Sequence, residues 1–324
     1  MSHDYKAIGI DDVRAAHQRI SPYIHRTPIL TSTTLDTAFG CQVSFKCENF
    51  QKSGAFKVRG AFNALLSLPA EVRARGIVTS SSGNQAAAVS LVAQALGVSA
   101  YIAMPKIALE SKVAAVERYG GNIVWVEAKG QVPTSEEYDA TAEAIRERTG
   151  ANLVHPYDDP RTIAGQATCA LELLEDCPDL DVVLAPVGGG GLLSGTCLSA
   201  AALAPKARVI GCEPEMADDA QKSLRQGEIV PQTDPRTIAD GLRTSLGELT
   251  FPIIARHVTD IVTVSEEAIL IAMRHVWETM KIIIEPSAAV PVAALLEGLV
   301  PADAGKVGVI LSGGNVDLDS LPDW

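Results

Sequence analysis

Short apolar runs alternate along most of the chain with longer segments in which apolar residues recur every three to four positions. The first pattern predicts buried strands, and the second predicts helices that bury one face. The predicted strands are residues 43–49, 76–82, 100–105, 122–127, 152–155, 181–187, 208–214, 260–265 and 307–314. The predicted helices are residues 84–96, 109–119, 135–148, 162–175, 192–203, 266–280 and 287–298. Regular alternation of strand and helix predicts an α/β fold with mostly parallel sheets.

A second, smaller sheet is predicted in the first half of the chain. Three strand–helix units lie between residues 76 and 128, and a short strand follows them. The segments on either side are expected to build a larger sheet, with residues 155–160 crossing between the two. We predict a large domain of residues 1–52 and 158–324 and a small mobile domain of residues 53–157. Because ligands of open parallel sheets bind beyond the carboxyl ends of the strands, the chemistry is expected there.

Composition narrows the possible partners and the compartment. The chain has 324 residues, a formal net charge of −12 and only 5% aromatic residues, which disfavours nucleic acid and anionic membrane surfaces as partners. The amphipathic start of the chain does not fit a signal peptide, and no apolar run approaches membrane-spanning length. Six scattered cysteines without a CxxC pair are expected to be buried, reduced thiols. We therefore expect a cytoplasmic protein.

Lys57 is the strongest single candidate for chemistry. It lies between Phe56 and Val58 in the stretch KSGAFKVRGAFNAL, after a strand and at the start of a predicted helix. Most lysines are solvated surface residues, but apolar neighbours and a helix N-terminus favour a lowered pKa. A lysine of that kind is suited to act as a nucleophilic amine or to form a Schiff base.

Two further strand ends offer backbone N–H groups to anions. In TSSSGNQAAAVS, Ser81, Ser82 and Gly83 precede an alanine-rich helix whose start can hold a carboxylate, although such a stretch also makes an ordinary turn. In PVGGGGLLSG, four consecutive glycines, residues 188–191, follow a buried strand and open a helix. Glycine lets the backbone approach a phosphate closely, whereas a bare tight turn does not explain four glycines. The run fits neither a Walker loop nor the dinucleotide-binding GxGxxG pattern.

The remaining motifs are a serine at a strand end and an acidic cluster. Ser312 in ILSGGN ends the last predicted strand, where its hydroxyl could bond a cofactor nitrogen or belong to a plain glycine turn. In CEPEMADDAQKS, Glu213, Asp218 and Asp219 cluster after another strand. Hard cations bind such carboxylates, but a solvated acidic surface is the commoner meaning of the pattern. The absence of GxSxG and HExxH motifs disfavours a serine hydrolase and a zinc protease.

Taken together, these motifs resemble the serine/threonine dehydratase and serine racemase family of fold-type II pyridoxal-phosphate (PLP) enzymes. The resemblance runs from RTPIL, which begins at residue 26, to LSGGNVDL, which ends at residue 318, with the motifs in the same order. It implies a two-domain α/β fold with a larger, mostly parallel twisted sheet and a smaller parallel αβα domain. It also implies that the cofactor lies in the cleft between the domains and that the chain forms a homodimer.

The resemblance assigns a role to each motif. Lys57 would carry the cofactor, Asn84 would touch its phenolic oxygen, and Ser312 would face its pyridine nitrogen. The other implied cofactor contacts are Phe56 and Glu285 near the ring, and Gly188, Gly189, Gly190, Gly191 and Leu192 around the phosphate. The implied substrate-binding residues are Ser81, Ser82, Gly83 and Gln85, with Ser82 also acting as a catalytic second base. The implied ligands of Mg²⁺, Mn²⁺ or Ca²⁺ are Glu213, the carbonyl of Ala217, and Asp219.

The implied reaction removes water and ammonia from a β-hydroxy amino acid of the threonine or serine type and leaves a 2-oxo acid. Lys57 would take the α-proton, as a desolvated lysine can near neutral pH, and PLP would act as the electron sink. Close alternatives are the same chemistry on 3-hydroxyaspartate or another substituted β-hydroxy amino acid, and a serine racemase with side elimination activity. A β-replacement enzyme, a binding protein that has lost catalysis and a dinucleotide-binding dehydrogenase are less favoured.

Two departures from the family pattern concern the substrate. Gln85 stands where the family has His after SSGN. Residues 130–145 contain no arginine that could match the substrate-contacting arginine of the racemases. The sequence therefore leaves the substrate side chain open. Because the chain ends soon after SGGN, we expect no regulatory amino-acid-binding domain.

Overall fold

The computed structural model describes residues 8–81, 83–130, 133–319 and 321. The helices are α1 Ile10–Ile20, α2 Thr33–Phe39, α3 Lys57–Leu66, α4 Ala70–Arg73, α5 Asn84–Leu96, α6 Glu110–Arg118, α7 Ser135–Thr149, α8 Pro160–Asp176, α9 Gly191–Leu203, α10 Asp219–Gln226, α11 Thr250–His257, α12 Glu266–Met280 and α13 Pro286–Leu296. The strands are β1 Ile29–Leu30, β2 Gln42–Cys47, β3 Ile77–Ser80, β4 Ala100–Pro105, β5 Asn122–Val126, β6 Asn152–Leu153, β7 Val182–Pro186, β8 Arg208–Pro214, β9 Asp260–Val264 and β10 Lys306–Leu311. Short 3₁₀ segments lie at Glu48–Phe50, Lys52–Gly54, Glu215–Ala217 and Asp240–Leu242.

The described strands form two sheets. The larger has six strands in the order β1-β2-β10-β7-β8-β9, and the smaller has four in the order β5-β4-β3-β6. Neighbouring strands run parallel in both sheets except for β1, which pairs with β2 in the antiparallel direction. The predicted α/β fold with a larger and a smaller parallel sheet is thus confirmed. The domain boundaries at residues 52 and 158 stay a prediction, and β3 to β6 lie between them.

The larger sheet is covered by helices on both faces. Along β7, Val183 and Ala185 pack in one core with α8 and α9, whereas Val182 and Leu184 pack in the other with α12 and α13. Successive side chains of a strand point to opposite faces, so a strand buried on both faces is apolar at every position. Burying each Val or Leu side chain stabilises the fold by roughly 1.5–3 kcal/mol. This packing fixes the ends of β7 and β10, from which site residues extend.

The smaller sheet has the same layered construction. Ile77, Ile102 and Met104 pack against α3 and α5 in one apolar core, and Val78 and Ala103 pack against α7 in another. Helix α5 begins and ends at the predicted residues, and it ends where Gly97 adopts a left-handed conformation (φ +65°). Helix α3 thus lies against the smaller sheet and also against α8. Lys57, the first residue of α3, is therefore held where the two sheets meet.

Helix α8 starts two residues earlier than the sequence pattern predicts. The Asp159 side chain accepts hydrogen bonds from the backbone N–H groups of Arg161 and Thr162, at 2.7 and 3.3 Å. Pro160 occupies the first helical position, where a missing N–H costs nothing. This cap ends the crossing from the smaller sheet, so the residues just before it have a fixed position.

The prediction of buried thiols holds for four of the six cysteines. All six cysteines lie in the described residues and none of them forms a disulfide. Cys47, Cys169, Cys197 and Cys212 are buried, whereas Cys41 and Cys177 are partly exposed. Among the described helices, none combines the length and the apolar character needed to cross a membrane.

Candidate active site

The motifs at separate strand ends come together in one place. The segment that follows β2 is joined to the end of β10, because the Phe56 N–H donates to the Ser312 carbonyl at 3.0 Å. The start of α5 is joined to the start of α13, because Asn84 Nδ2 donates to Glu285 Oε1 at 2.7 Å. Ser312 is buried, with 3% of its surface exposed. The two pairs are joined because the Glu285 N–H donates to the carbonyl of Gly313 at 3.0 Å, so residues predicted from separate motifs line a single site.

Lys57 lies at the centre of this arrangement. Its Nζ donates to the Pro156 carbonyl oxygen at 2.7 Å and lies 5.3 Å from the centroid of the Phe56 ring. Burial lowers the pKa of Lys57 to about 8, although the nearby Glu285 carboxyl acts in the opposite direction. An appreciable fraction of this amine is uncharged near neutral pH, which makes it available as a nucleophile or base.

The glycine loop, residues 188–191, connects β7 to α9 as predicted. The backbone N–H groups of residues 188–192 donate to no protein acceptor in the described part of the chain. Gly190 has φ +87°, which favours glycine, and it directly precedes α9. Unpaired N–H groups at the start of a buried helix form an anion site, because the helix dipole and the donors act together. The loop therefore fits a phosphate group.

Tyr157 is a site residue that the sequence pattern did not reveal. Its ring lies so close to the glycine loop that a Cβ on Gly189 would be 2.3 Å from it, and a Cβ on Gly191 would be 3.0 Å from Tyr157 Cα. Burial raises the pKa of Tyr157 to about 12, so its hydroxyl stays protonated. Glycine is thus required at Gly189 by the aromatic ring that packs on it.

Asp158 supports the same loop from the other side. Its Oδ1 accepts hydrogen bonds from the N–H groups of Leu249 and Thr250, at 2.9 and 3.2 Å, where α11 begins. The Thr250 hydroxyl in turn donates to the Gly189 carbonyl at 2.8 Å. Residues 155–158, which we call the crossing segment, therefore brace the glycine loop directly and through α11. Asp158 and Leu249 are 91 positions apart, so no local sequence pattern could have signalled this contact.

A chain of amide and carboxyl groups lies on the opposite side of the site. Asn84 donates to Glu285 and accepts a hydrogen bond from Asn315 Nδ2 at 2.8 Å. Burial raises the pKa of Glu285 to about 8, and Asp240 adds to this, while the hydrogen bond from Asn84 opposes it. The Glu285 carboxyl is therefore mostly protonated near neutral pH. The two residues expected near the cofactor ring, Asn84 and Glu285, thus lie in direct contact.

The predicted substrate loop leads into α5. The Gly83 N–H donates to the Ser81 hydroxyl at 3.2 Å, which shapes the turn before the helix. Gln85 is buried, and neither polar atom of its side chain has a hydrogen-bond partner among the described residues. Ser82, the predicted second base, lies outside the described residues. The structure therefore places three of the four predicted substrate residues around the start of α5.

The predicted cation ligands lie at the end of β8 and the start of α10. The Glu213 carboxylate accepts hydrogen bonds from two backbone N–H groups of α10 at 3.2 and 2.7 Å. Asp219 Oδ1 accepts a hydrogen bond from Gln232 at 2.9 Å, whereas the buried Oδ2 has no partner in the described part of the chain. Burial raises the pKa of Glu213 to about 9 and that of Asp219 to about 7. Ala217 is buried in the turn between them.

A group of three or more His, Cys, Asp or Glu side chains suited to a metal ion is absent from the described residues. The predicted site differs from such a group, because it combines two carboxylates with a backbone carbonyl. An orphaned, buried carboxylate oxygen beside a second buried carboxylate fits a hard cation, which would supply the missing partner.

Comparison with known proteins gives consistent results over both sheets. Residues 20–313 match the family model described as pyridoxal-phosphate dependent enzyme. The chain is 47% identical over 312 residues to beta-hydroxyaspartate dehydratase of Paracoccus denitrificans, covering 96% of this chain and 98% of that protein. It is 48% identical over 322 residues to a serine racemase of Arabidopsis thaliana, covering 98% and 96%. The structure of maize serine racemase matches with a TM-score of 0.93 at 44% identity, covering 97% of this chain and 95% of that one.

Proposed function

The chain belongs to the pyridoxal-phosphate dependent enzymes, and we propose that it converts a β-hydroxy amino acid of the threonine or serine type to a 2-oxo acid and ammonia. One observation carries this proposal. The buried Lys57 amine, whose pKa burial lowers to about 8, donates a hydrogen bond to Pro156 in the crossing segment, and Tyr157 of the same segment packs against the glycine loop. An amine and a phosphate cradle joined in this way suit a cofactor that carries both an aldehyde and a phosphate.

The residues that would hold PLP follow from their contacts. Lys57 would bind it covalently, the N–H groups of residues 188–192 would bind its phosphate, and Ser312 and Asn84 would face the ring. With a neutral serine hydroxyl at its pyridine nitrogen, PLP would be a weaker electron sink than with a carboxylate there. This weaker sink favours elimination over transamination. When bound, PLP supplies the electron sink for charge that develops on the substrate Cα.

The side chains of the chain itself then account for binding and proton movement. The helix start after Gly83, together with Ser81, would hold the substrate carboxylate. The Lys57 amine would remove the α-proton, and its hydrogen bond to Pro156 keeps Nζ on one side of the site. Ser82 would supply a proton to the opposite face, which gives some racemase activity. Departure of the β-hydroxyl completes the elimination.

The alternatives concern both the substrate and the balance between elimination and racemisation. The Paracoccus relative, 47% identical, is named a beta-hydroxyaspartate dehydratase, which favours 3-hydroxyaspartate as the second candidate substrate. The Arabidopsis relative, 48% identical, is named a serine racemase, which favours serine. A panel of serine, threonine and 3-hydroxyaspartate stereoisomers, assayed for oxo-acid release and for racemisation, separates these candidates.

The role of Lys57 is tested by its removal. Lys57→Ala is expected to lose the visible absorbance of the lysine-bound cofactor and to slow oxo-acid release by about 10⁴-fold, the upper range for a missing general base. Lys106→Ala is the matched control, because Lys106 is an exposed lysine of the smaller-sheet region that pairs with Glu127. A colourless wild type that takes up no PLP, or a yellow and active Lys57→Ala, would contradict the proposal.

We also propose that Glu213, the carbonyl of Ala217, and Asp219 bind Mg²⁺ or a similar divalent cation. The buried, unpaired Asp219 Oδ2 supports this site. At a free cation concentration 100 times the Kd, binding would raise the free energy of unfolding by about 2.7 kcal/mol. A chelator should therefore lower the melting temperature of the wild type but leave that of Asp219→Asn unchanged. An equal response of both proteins would exclude these ligands.

A homodimer completes the proposal. The exposed apolar side chains Phe50, Ile283 and Leu318 line an open groove of about 400 Å³ next to Asn315, and such a patch is typical of a surface that another subunit covers. Light scattering is expected to give twice the 34.1 kDa mass of one chain, and Phe50→Asp is expected to reduce it. A monomeric wild type would contradict the assignment.

A cytoplasmic location is proposed on the basis of the cysteines. None of the six forms a disulfide, which is typical of a reducing compartment. Cell fractionation tests this, and recovery of the protein outside the cytoplasm would contradict it.

A further inference from the structure

His155 lies in the crossing segment, immediately before the residue whose carbonyl binds Lys57. Its Nδ1 accepts hydrogen bonds from the backbone N–H groups of Asp158 and Tyr157, at 2.7 and 3.4 Å. A nitrogen that accepts hydrogen bonds carries no proton, so the neutral ring has its N–H at Nε2. The fold of the crossing segment therefore fixes one tautomer of this histidine.

The position of the ring is also fixed. The rings of His155 and Tyr157 pack edge to face, with their centroids 4.7 Å apart and their planes at an angle of 84°. Tyr157 packs in turn on the glycine loop, and the Thr162 hydroxyl donates to the His155 carbonyl at 3.1 Å. A ring held by two hydrogen bonds to Nδ1 and by the Tyr157 ring keeps its Nε2–H in a constant direction, as a preorganised donor requires.

The Nε2–H group itself is not used by the protein. It donates to no other residue in the described part of the chain, and it is not among the fully buried unpaired atoms, so it keeps exposed surface at which a ligand can bind. Burial lowers the pKa of His155, and the Lys57 ammonium adds to this, while Asp158, Asp139 and Asp159 oppose it. The imidazole is therefore a neutral hydrogen-bond donor near neutral pH.

The substrate brings one polar group that has no assigned partner. The proposed function gives the α-carboxylate to the start of α5, and the substrate amine would replace Lys57 on the cofactor and free the Lys57 amine, which leaves the oxygen on Cβ without a partner. Lys57 Nζ is bonded to the carbonyl of Pro156, the residue after His155, and the Lys57 ammonium helps to lower the pKa of His155, so the amine and the imidazole lie near each other. We propose that His155 Nε2–H donates a hydrogen bond to the oxygen on Cβ of the substrate and stabilises that oxygen as it leaves. This inference rests on the proposed function.

The elimination can be written with every proton and electron pair accounted for and without loss of a proton from His155. Lys57 takes the α-proton, the electron pair of the Cα–H bond forms the Cα–Cβ double bond, and the Cβ–O pair leaves with the oxygen. The Lys57 ammonium returns its proton to that oxygen, so water departs. His155 keeps its own proton throughout, because a neutral imidazole N–H is a far weaker acid than an ammonium group. Its contribution is to stabilise negative charge on the leaving oxygen.

Two substitutions separate this role from support of the crossing segment. His155→Asn keeps an acceptor for the Asp158 N–H but has no donor at the position of Nε2. His155→Gln places an amide N–H near the position of Nε2 but loses the acceptor at Nδ1. If His155 were only structural, Asn would preserve activity and Gln would impair it. The proposed donor predicts the opposite order.

The experiment compares kcat for the β-hydroxy amino acid that the wild type converts fastest with kcat for 3-chloro-L-alanine, whose chloride leaves without a hydrogen-bond donor. His155→Asn is expected to lower kcat for the hydroxy substrate by about 10²-fold with little change in KM, and to leave chloride elimination nearly unchanged. His155→Gln is expected to recover roughly tenfold of that loss.

Equal loss for both leaving groups, full activity of His155→Asn, or a weaker His155→Gln than His155→Asn would overturn the inference. Absorbance of the bound cofactor and the melting temperature are measured for each variant to confirm that the protein is folded and loaded. A wild type that binds no PLP and eliminates neither leaving group would instead refute the proposed function, and the inference with it. The two failures are therefore distinguishable.

Discussion

Lys57 and Arg59 lie two residues apart on α3, yet their surroundings shift their pKa values in opposite directions. Lys57 makes one hydrogen bond, to a main-chain carbonyl, and burial lowers its pKa to about 8. Arg59 donates to Glu48, Glu172 and Thr168 through all three of its nitrogens, at 2.7 to 3.1 Å. Burial works against the charge on Arg59, but the two carboxylates raise its pKa well above the ordinary value.

The surroundings of Arg59 form a closed set of interactions, which we call the buried ion network: Arg59, Lys46, Glu48 and Glu172. Its two positive and two negative side chains are almost completely inaccessible to solvent. Lys46 completes the set, because its Nζ donates to Glu172 Oε2 at 2.7 Å and to the Thr27 carbonyl at 2.8 Å. A buried charge is tolerated when its hydrogen bonds are made and an opposite charge is present.

The cleft around Lys57 has the reverse character. It contains the unpaired N–H groups of residues 188–192, and His155 with its unused Nε2–H lies near Lys57; the Glu285 carboxyl is bonded to Asn84, and burial raises its pKa to about 8. Polar groups left without partners destabilise a fold, so they persist where a ligand supplies what is missing. The contrast shows how one helix has two roles: Arg59 anchors α3 to α8 and to the 3₁₀ segment after β2, and Lys57 at the first position of α3 is thereby held at the cleft.

Arg59→Met gives the largest expected effect. It removes one of the two positive charges of the network and leaves Glu48 and Glu172 buried with only Lys46, which is bonded to Glu172, so the free energy of unfolding should fall by about 3–5 kcal/mol. Urea denaturation measures the loss. Arg26→Met is the matched control, because Arg26 bonds two acidic residues of the α8 end at the surface, with 45% of its side chain exposed. The control should change stability by less than about 1 kcal/mol.

Equal losses for Arg59→Met and Arg26→Met would remove the distinction between the buried network and an ordinary surface pair. Retention of the bound-cofactor absorbance by folded Arg59→Met would sharpen the contrast, since it would assign Arg59 to anchoring alone.

Gly189→Ala is expected to have the next largest effect. The new Cβ would lie 2.3 Å from the Tyr157 ring, so the ring must move or the glycine loop must shift. Overpacking of this kind costs about 1–3 kcal/mol, and the displaced N–H groups should hold PLP less tightly. Thermal denaturation and cofactor titration measure the two effects. Gly305→Ala is the control, because its Cβ would meet its nearest neighbour at an ordinary 3.5 Å.

The cause of the Gly189→Ala effect can be isolated with a second substitution. Tyr157→Ala in the same chain removes the ring that the new Cβ would strike, so the double variant should lose less stability than the sum of the two single variants. Simple additivity would mean that Tyr157 is not what requires glycine at this position.

The sequence was informative where a local pattern carries the signal. Helices α5 and α12 begin and end at the predicted residues because each contains several turns of apolar periodicity. The shorter α2, α10 and α11 were not predicted, since seven or eight residues give too few repeats to distinguish a helix from a loop. Strand β1 was missed because it has two residues and depends on its pairing with β2.

The same division applies to the site. Lys57, the glycine loop and Ser312 were predicted because each lies in a contiguous motif, and the structure brings them together. His155 and Tyr157 were read as part of a connection, because their contacts depend on tertiary packing between the crossing segment and the glycine loop. Arg59 lies within the lysine motif, yet its partners come from separate elements up to 113 positions away. A charged residue read alone predicts a surface position, so the buried ion network was not foreseen.

Glu285→Gln gives the smallest expected effect and tests whether the cleft carries an unsatisfied charge. The pKa of Glu285 rises from 4.5 in an unperturbed chain to about 8 in the fold, mainly through burial. Between these values the folded protein holds a proton that the unfolded chain has released. Stability from this group is therefore complete below the lower value and is lost as the pH rises through the upper one.

Glutamine keeps the acceptor for Asn84 but cannot ionise, so the variant lacks this loss. The stability of the wild type relative to Glu285→Gln should therefore fall from about pH 5 to about pH 9, by an amount on the order of 1 kcal/mol because relaxation and water entry limit the cost. Melting temperatures of both proteins across this range measure it. Glu278→Gln is the control, because Glu278 is exposed and its Arg274 partner lowers its pKa, so its difference from the wild type should be constant there. If Glu285→Gln also differs from the wild type by a constant amount, the Glu285 carboxyl is as fully satisfied as the carboxylates around Arg59. The contrast between the surroundings of Lys57 and those of Arg59 would then no longer hold.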